Sequence, residues 1–315
     1  MRRLARTLGS PGLAALALAA ATAGSGAAEP AVVVSIQPVH SLVAGVMAGI
    51  GIPKLIVKGG ASPHSYSLRP SEAGSLSRAR LVFWIGGALE TFLEKPLKAL
   101  SADALIVELG EAQGITRLPG EDAAGEGRGG EPGPEEDPRA HRPGGTDPHI
   151  WLDPDNARAI VQAAVAALIR VDPANGTGYA ANGERLLARI EALDAALRRT
   201  LAPVREVPYV VLHDAYGYFE RRYGLFHVAA LAPDPERKPG ARRLSEVRRK
   251  IEVLGVRCVF TEPQFEPALV RTVIEGTGAR TGVLDPLGAG LAPGPEAYFA
   301  LMADLAASFR DCLGG

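Results

Sequence analysis

Three histidines and one aspartate lie at widely separated points of the chain, each shortly after an apolar or aromatic-rich run. They are His64 in GGASPHSYSLRPSE, His149 in TDPHIWLDPDN, His213 in YVVLHDAYGYF and Asp285 in TGVLDPLG. Imidazole nitrogen and carboxylate oxygen are ligands that suit zinc, with manganese and iron as further candidates, and a tetrahedral shell needs four donors. We therefore expect folding to bring these four residues together around one metal ion.

Short apolar runs alternate with helix-like segments in both halves of the chain. In the first half the predicted strands are 31–36, 54–57, 81–85 and 105–107, with helices at 39–49 and 70–79. After Pro203 the predicted strands are 209–212, 226–231, 258–261 and 281–284, with helices at 244–254, 267–276 and 296–312. This alternation predicts parallel α/β units, so the fold class is α/β.

Two longer helical patterns lie between these halves. Asp153 caps a predicted helix over 157–169. Farther on, apolar residues recur at helical spacing between 179 and 201. We therefore expect two similar α/β lobes with mostly parallel sheets, residues 29–173 and 204–315, joined by one long rigid helix within 174–203.

The predicted strand ends indicate where a site would lie. In open α/β sheets, binding residues collect in loops beyond the carboxyl ends of the strands. His213 and Asp285 directly follow predicted strands, and His64 lies in the loop after strand 54–57. His64 and His149 would come from the first lobe and the other two ligands from the second. We expect a metal site in the cleft between the lobes, a geometry that favours capture of a small solute.

Residues 1–28 have the order of a secretory signal peptide. Arg2, Arg3 and Arg6 precede an apolar run over 13–23, and small residues follow. The run is shorter than the ~20 residues that span a bilayer, so we expect cleavage and an exported mature protein. The formal net charge of −1 gives no electrostatic reason to expect a nucleic-acid partner. We expect the mature chain to be a monomer.

The chain has two cysteines, Cys258 and Cys312, and both are far in sequence from the histidines. Because an exported protein meets an oxidising compartment, we predict a disulfide between them. The alternative is a pair of buried free thiols.

Residues 120–145 differ in composition from the rest of the chain. Twelve of these residues are glycine or proline, seven are acidic and none is a large apolar residue. Such a segment cannot bury enough surface to order itself, so we predict a solvated loop inserted before His149. Its histidine, His141, is interpreted as a chance residue of this loop, with an auxiliary metal contact as the alternative.

Two further histidines have structural interpretations. His40 stands at a strand-to-helix turn, where a role at the helix start is favoured over a place near the cleft. His227 lies within an apolar strand run and is predicted to be a core histidine.

Four stretches of the chain resemble the high-affinity zinc-uptake solute-binding proteins of bacterial ABC transporters, the ZnuA type. They are ASPHSYSLRPSEAGSLSRARLVFWIG, DPHIWLDPDNA, LHDAYGYFERRYGL, and CVFTEPQFEPALV together with TGVLDPLG. The resemblance covers nearly the whole mature chain in the right order. It implies two α/β lobes joined by a rigid helix with the metal between them. It also implies a membrane ABC permease as partner and a disulfide like the one predicted here.

Carried over position by position, the resemblance makes His64, His149 and His213 the zinc ligands. In the manganese-type relatives the third position is commonly a glutamate, so His213 favours zinc, and three imidazoles agree with that choice. Asp285 matches the fourth, acidic ligand of the wider family, with a water in that position as the alternative. Two features depart from the pattern: Pro63 stands where zinc members often have an acidic residue, and the 120–145 loop has one histidine where many have several.

The resulting prediction is a periplasmic protein that captures Zn2+ for a permease and is not an enzyme. A manganese- or iron-binding member of the same family is one alternative. An exported zinc hydrolase, with water in the fourth position and Asp285 or Glu262 as general base, is another. No HExxH helix supports the hydrolase.

Overall fold

The computed structural model describes residues 31–101, 103–120, 145–232 and 238–315. Its first sheet has four parallel strands in the order β2-β1-β3-β4. The strands are β1 Val32–Val34, β2 Lys54–Leu55, β3 Leu81–Trp84 and β4 Leu105–Glu108. Every residue of the central strands β1 and β3 is buried, as expected for valine- and leucine-rich strands covered on both faces.

Four helices accompany this sheet. They are α1 Gln37–Val46, α2 Pro70–Leu76, α3 Thr91–Leu100 and α4 Pro154–Val171. A proline in the first turn of α1, α2 and α4 suits a position where the backbone N–H needs no helical partner. The Asp153 carboxylate accepts a hydrogen bond from the backbone N–H of Asp155 and so caps α4, as predicted.

The second sheet repeats the arrangement of the first. Its four parallel strands have the equivalent order β6-β5-β7-β8, with β5 Tyr209–His213, β6 His227–Ala232, β7 Cys258–Thr261 and β8 Arg280–Val283. The accompanying helices are α6 Gly217–Tyr223, α7 Ala241–Leu254, α8 Ala268–Ile274 and α9 Ala297–Leu313. Helix α5, Gly176–Leu201, joins the two halves. The predicted α/β class with two similar lobes and one long connecting helix is confirmed.

One apolar core extends across both lobes. It contains residues of both sheets and of the three helices α1, α5 and α9, which pack against one another. A second, smaller core lies between the second sheet and helices α7 and α8. Because the larger core is shared, packing in one lobe constrains the position of the other.

The predicted strands match the observed ones to within a residue or two at each end. Helices α3 and α6 were not predicted. The predicted signal peptide and His141 lie outside the described residues. At the base of the predicted 120–145 loop, the Gly120 N–H donates to the Gly145 carbonyl at 2.8 Å, next to an antiparallel bridge between Pro119 and Thr146.

The remaining sequence predictions concern the two cysteines and two histidines. Cys258 of β7 and Cys312 of α9 form a disulfide, with Cα atoms 6.1 Å apart. His40 is buried, its Nε2 lies 3.0 Å from the Pro53 carbonyl and burial lowers its pKa, which agrees with a structural role.

Among the described residues, no helix combines the length and apolar character needed to cross a membrane.

His227 forms an ion pair at the start of β6. Its Nδ1 lies 3.2 Å from the Glu220 carboxylate, which also accepts a hydrogen bond from the Tyr209 hydroxyl at 2.9 Å. Burial would lower the pKa of His227, but the hydrogen bond and the charge of Glu220 outweigh burial and raise it to about 9. The histidine is therefore charged in the folded protein at neutral pH.

This pair predicts a loss of stability at alkaline pH. An unfolded histidine titrates near 6.5, so the contribution of the pair is complete below that pH and is lost as the pH rises to about 9. We expect the free energy of unfolding to fall by on the order of 2 kcal/mol across this range. Urea denaturation at several pH values measures this free energy, and it should decline clearly less with pH in His227→Gln than in the parent protein. The same decline in both proteins would contradict a role for the His227–Glu220 pair.

Candidate metal centre

Three histidines from different elements meet between the lobes. His64 lies in the loop between β2 and α2, His149 precedes the short turn Ile150–Leu152 that leads into α4, and His213 is the last residue of β5. Their ring centroids are 4.9–5.6 Å apart, and one potential ligand atom from each lies within 4.8 Å of the others. His149 and His213 are buried and His64 is half-buried.

This spacing is compatible with one shared ion. Zinc–imidazole bonds of about 2.0 Å in a tetrahedral shell would hold the nitrogens roughly 3.4 Å apart. The observed donor atoms lie within 4.8 Å of one another, somewhat farther apart than in such a shell. The walls around the group are largely apolar, with Pro63, Trp151, Phe265, Pro286 and Leu287 lining the cavity. Such walls lower the local dielectric constant and strengthen electrostatic interactions inside.

Asp147 holds the His149 side chain. Its Oδ1 accepts a hydrogen bond from the His149 backbone N–H at 2.9 Å and lies 2.8 Å from His149 Nδ1. A carboxylate at Nδ1 fixes the proton there and leaves Nε2 with its lone pair directed elsewhere. Burial raises the pKa of Asp147 to about 7, against the opposing effects of the His149 backbone hydrogen bond and the His213 charge.

Glu262 plays the equivalent part for His213. The Glu262 carboxylate lies 3.3 Å from His213 Nδ1, and both side chains are buried. Burial would lower the pKa of His213, but the charge and hydrogen bond of Glu262 outweigh it, so the pKa is raised. Two buried carboxylates therefore face the outer nitrogens of two histidines, a charge arrangement that complements a divalent cation.

Asp285 does not join the histidine group. Its Oδ1 accepts hydrogen bonds from the Gln264 side chain at 2.9 Å and from the backbone N–H groups of Leu287 at 3.1 Å and Gly288 at 2.9 Å. Its Oδ2 accepts from the Ala289 N–H at 2.6 Å. The loop after β8 thus closes on this carboxylate, with three donors at Oδ1 and one at Oδ2. The structure brings together three of the four predicted ligands.

Sequence reasoning did not predict that Asp147 and Glu262 lie against the histidine rings. Asp147 stands two residues before His149, a short spacing from which a carboxylate can reach the imidazole, and it was not singled out. Glu262 directly follows β7, at a strand end like those of the predicted ligands, and was considered as a general base. Pro63 lines the site without contributing a carboxylate, as the departure from the family pattern implied.

The two lobes with parallel sheets, the single connecting helix and the histidine group between the lobes define a two-lobed solute-binding protein. A family model described as ZnuA, zinc-uptake complex component A periplasmic, matches residues 32–312. The chain therefore belongs to the ZnuA family.

Curated relatives agree with this assignment. The chain is 42% identical to the high-affinity zinc uptake system protein ZnuA of Brucella abortus, over 90% of this chain and 91% of the relative. It is 35% identical to the protein of the same name from Yersinia pestis, over 91% of this chain and 92% of that one.

Solved structures share the fold. The structure is similar to a crystal structure of ZnuA with a TM-score of 0.72 and 26% identity, covering 88% of this chain and 98% of the other. It is also similar to the periplasmic zinc binding protein TroA from Treponema pallidum, with a TM-score of 0.75 over 90% of this chain and 99% of that one. At 22% identity, the second likeness supports the fold alone.

The Asp147–His149 contact predicts a measurable effect on metal affinity. Asp147→Asn keeps the shape of the side chain but removes its charge, so zinc affinity should fall by about 10- to 100-fold. Competition against a chromophoric chelator measures this. Asp172→Asn is the matched control, because Asp172 is also buried but contacts Asn175 and Tyr179 away from the histidines. Equal losses in both variants would contradict a specific role for Asp147.

Proposed function

We propose that this chain captures Zn2+ in the periplasm and delivers it to a membrane ABC permease for zinc uptake, with His64, His149 and His213 as the protein ligands of the ion. The convergence of these three imidazoles between the two lobes is the observation that carries the proposal. Membership of the ZnuA family, whose description names zinc uptake and the periplasm, supports it. The zinc ion is cargo, and the protein holds it during transfer.

The donor set favours zinc over manganese. Three neutral imidazoles suit zinc, whereas manganese prefers shells rich in carboxylate oxygens. Within the described part of the chain, the group of potential ligand atoms contains histidine nitrogens and no carboxylate. The two nearby carboxylates, Asp147 and Glu262, face the outer nitrogens of His149 and His213.

The fourth coordination position is proposed to hold water. Asp285 already accepts four hydrogen bonds from its own loop and from Gln264, and a move to the metal would break several of them. Each buried donor left without a partner costs about 1–3 kcal/mol. A water ligand avoids that cost.

A water on zinc also occurs in catalytic sites, but the surroundings here favour transport. Glu262, a candidate base of the hydrolase alternative, is buried against His213 Nδ1. In that position it orients a ligand. We therefore propose binding without catalysis.

We further propose that residues 1–28 are a cleaved signal peptide and that the mature protein acts as a monomer. Its domains are residues 29–173 and 204–315, with the linking helix in 174–203. The position of helix α5 between the two sheets supports these boundaries.

Metal content of single variants tests the ligand set. Alanine in place of His64, His149 or His213 should weaken zinc binding by about 100-fold or more, because each imidazole carries a large share of the binding free energy. Asp285→Ala should stay within about threefold of the parent protein, since water fills the fourth position.

Mass spectrometry identifies the bound metal, and competition with a chelator measures the zinc affinity. His227→Gln is the matched control, because it removes an imidazole that lies outside the cluster. Preferential retention of manganese in the parent protein would overturn the zinc assignment. Loss of zinc in Asp285→Ala, with unchanged thermal unfolding, would restore Asp285 as the fourth ligand.

Zinc affinity should depend steeply on pH. Imidazoles bind metal in the neutral form, so protons compete with zinc for all three proposed ligands as the pH falls. We expect zinc affinity to fall by at least about 100-fold between pH 7.5 and 5.5. Because Glu262 contributes to raising the pKa of His213, competition from protons begins at a higher pH at that position.

Zinc titrations against a chelator at pH 5.5, 6.5 and 7.5 measure this dependence. Glu262→Gln should lower the pKa of His213 and flatten the profile near pH 7. Equal affinities of the parent protein at the two extreme pH values would be incompatible with a histidine shell.

A further inference from the structure

Helix α6 connects the surroundings of two proposed zinc ligands. It begins at Gly217, four residues after His213, and its first turn lies against Asp147, two residues before His149. The helix belongs to the second lobe and Asp147 to the first. A shift of α6 would therefore be transmitted to both sides of the site.

Tyr218 makes the central contact. Its hydroxyl donates to the backbone carbonyl of Asp147 at 3.0 Å and accepts from the backbone N–H of Leu118 at 3.0 Å. The Asp147 N–H in turn donates to the Leu118 carbonyl at 2.9 Å. The tyrosine is 1% exposed, so water does not replace these bonds readily.

The backbone of α6 also limits where the Asp147 carboxylate can lie. A Cβ atom at Gly217 would stand 3.2 Å from Asp147 Oδ2, closer than most real contacts of that kind. The carboxylate is thus confined between the start of α6 and His149, whose Nδ1 lies 2.8 Å from Oδ1. Asp147 is thus held at its backbone carbonyl by Tyr218 and at its carboxylate by the helix and the imidazole.

We propose that Tyr218 is a positioning residue for zinc binding: its hydroxyl fixes Asp147, and Asp147 fixes the ring of His149. The inference rests on the zinc-binding function proposed above and adds a residue of the second lobe that controls a ligand of the first. The orientation of His149 relative to His213 is then set by a single short helix.

The other end of α6 is anchored as well. Arg222 forms ion pairs with Asp155 of α4 and with Asp194 of α5, the latter through Nη2 at 2.7 Å and Nε at 3.1 Å. The neighbouring Tyr223 hydroxyl donates to Asp194 at 3.1 Å. Since α4 follows directly from the His149 segment, both ends of α6 are attached to the elements that carry His149, which restricts the movement of Tyr218.

Tyr218→Phe removes the hydroxyl and keeps the ring. We expect about 5- to 20-fold weaker zinc binding and a faster release of zinc to a chelator, at the lower end of the effects seen for residues that orient metal ligands. Tyr179→Phe is the matched control, because it also removes a buried tyrosine hydroxyl, one that donates to Asp172 at 2.8 Å. This control should bind zinc like the parent protein, and equal losses in the two variants would overturn the proposal.

Double variants identify the route of the effect. Tyr218→Phe should cost little further affinity in a His149→Ala background, because the ring that it positions is gone. In a His64→Ala background it should keep its full effect. If Tyr218→Phe weakened zinc binding by the same factor in both backgrounds, Tyr218 would not act through His149.

Nuclear magnetic resonance of the metal-free protein gives a readout that does not depend on zinc. With 15N-labelled histidine, the Nδ1 proton of His149 should exchange with solvent at least about fivefold faster in Tyr218→Phe than in the parent and in Tyr179→Phe. Unchanged exchange would overturn the proposal even if affinity fell. Failure of the parent protein to bind zinc would refute the proposed function, and the exchange rates would still decide the role of Tyr218.

Discussion

The site requires imidazoles from two separate lobes to keep their ligand atoms within 4.8 Å of one another. His64 and His149 come with the first lobe and His213 with the second, so the lobes need a fixed relative position. Helices α1, α5 and α9 supply it by packing into one apolar core that includes residues of both sheets. Hydrogen bonds between the lobes further fix their relative orientation. Gln37 of α1 donates to the carbonyls of Gly288 and Leu291, and Trp151 donates to the Pro286 carbonyl.

These same contacts explain the placement of Asp285. The loop that it closes, residues 285–289, lies where the first lobe touches the second through Gln37 and Trp151. An aspartate that satisfies three backbone N–H groups gives this loop one defined shape. Here the carboxylate stabilises the wall of the site, and the imidazoles form its centre.

Much of the fold could be predicted from the sequence, because buried parallel strands are continuous apolar runs with characteristic lengths. Helix α3 escaped prediction since Pro96 lies inside it and proline normally ends a helix. Helix α6 has seven residues, too few for a clear helical period. His149 and His213 could be placed near the cleft from the sequence because they stand at a helix start and a strand end, whereas His64 lies inside the loop between β2 and α2. Asp285 follows a strand in the same way, but hydrogen bonds to its own loop decide its orientation, and sequence spacing does not encode them.

A zinc carrier must also release the ion. The contacts between the lobes and the contacts of the His64 loop differ in how much surface they bury. Separating the lobes would expose apolar surface of the shared core at about 25 cal/mol per Å2. The His64 loop packs less deeply: His64 is half-buried, and its neighbour Ser65 is exposed. The loop is nevertheless packed through the buried Pro63 and the Tyr66–Phe92 ring contact, whereas His149 and His213 are themselves buried beside carboxylates. Among the three proposed ligands, His64 is therefore the least enclosed by the protein, and His149 and His213 are the more deeply buried pair.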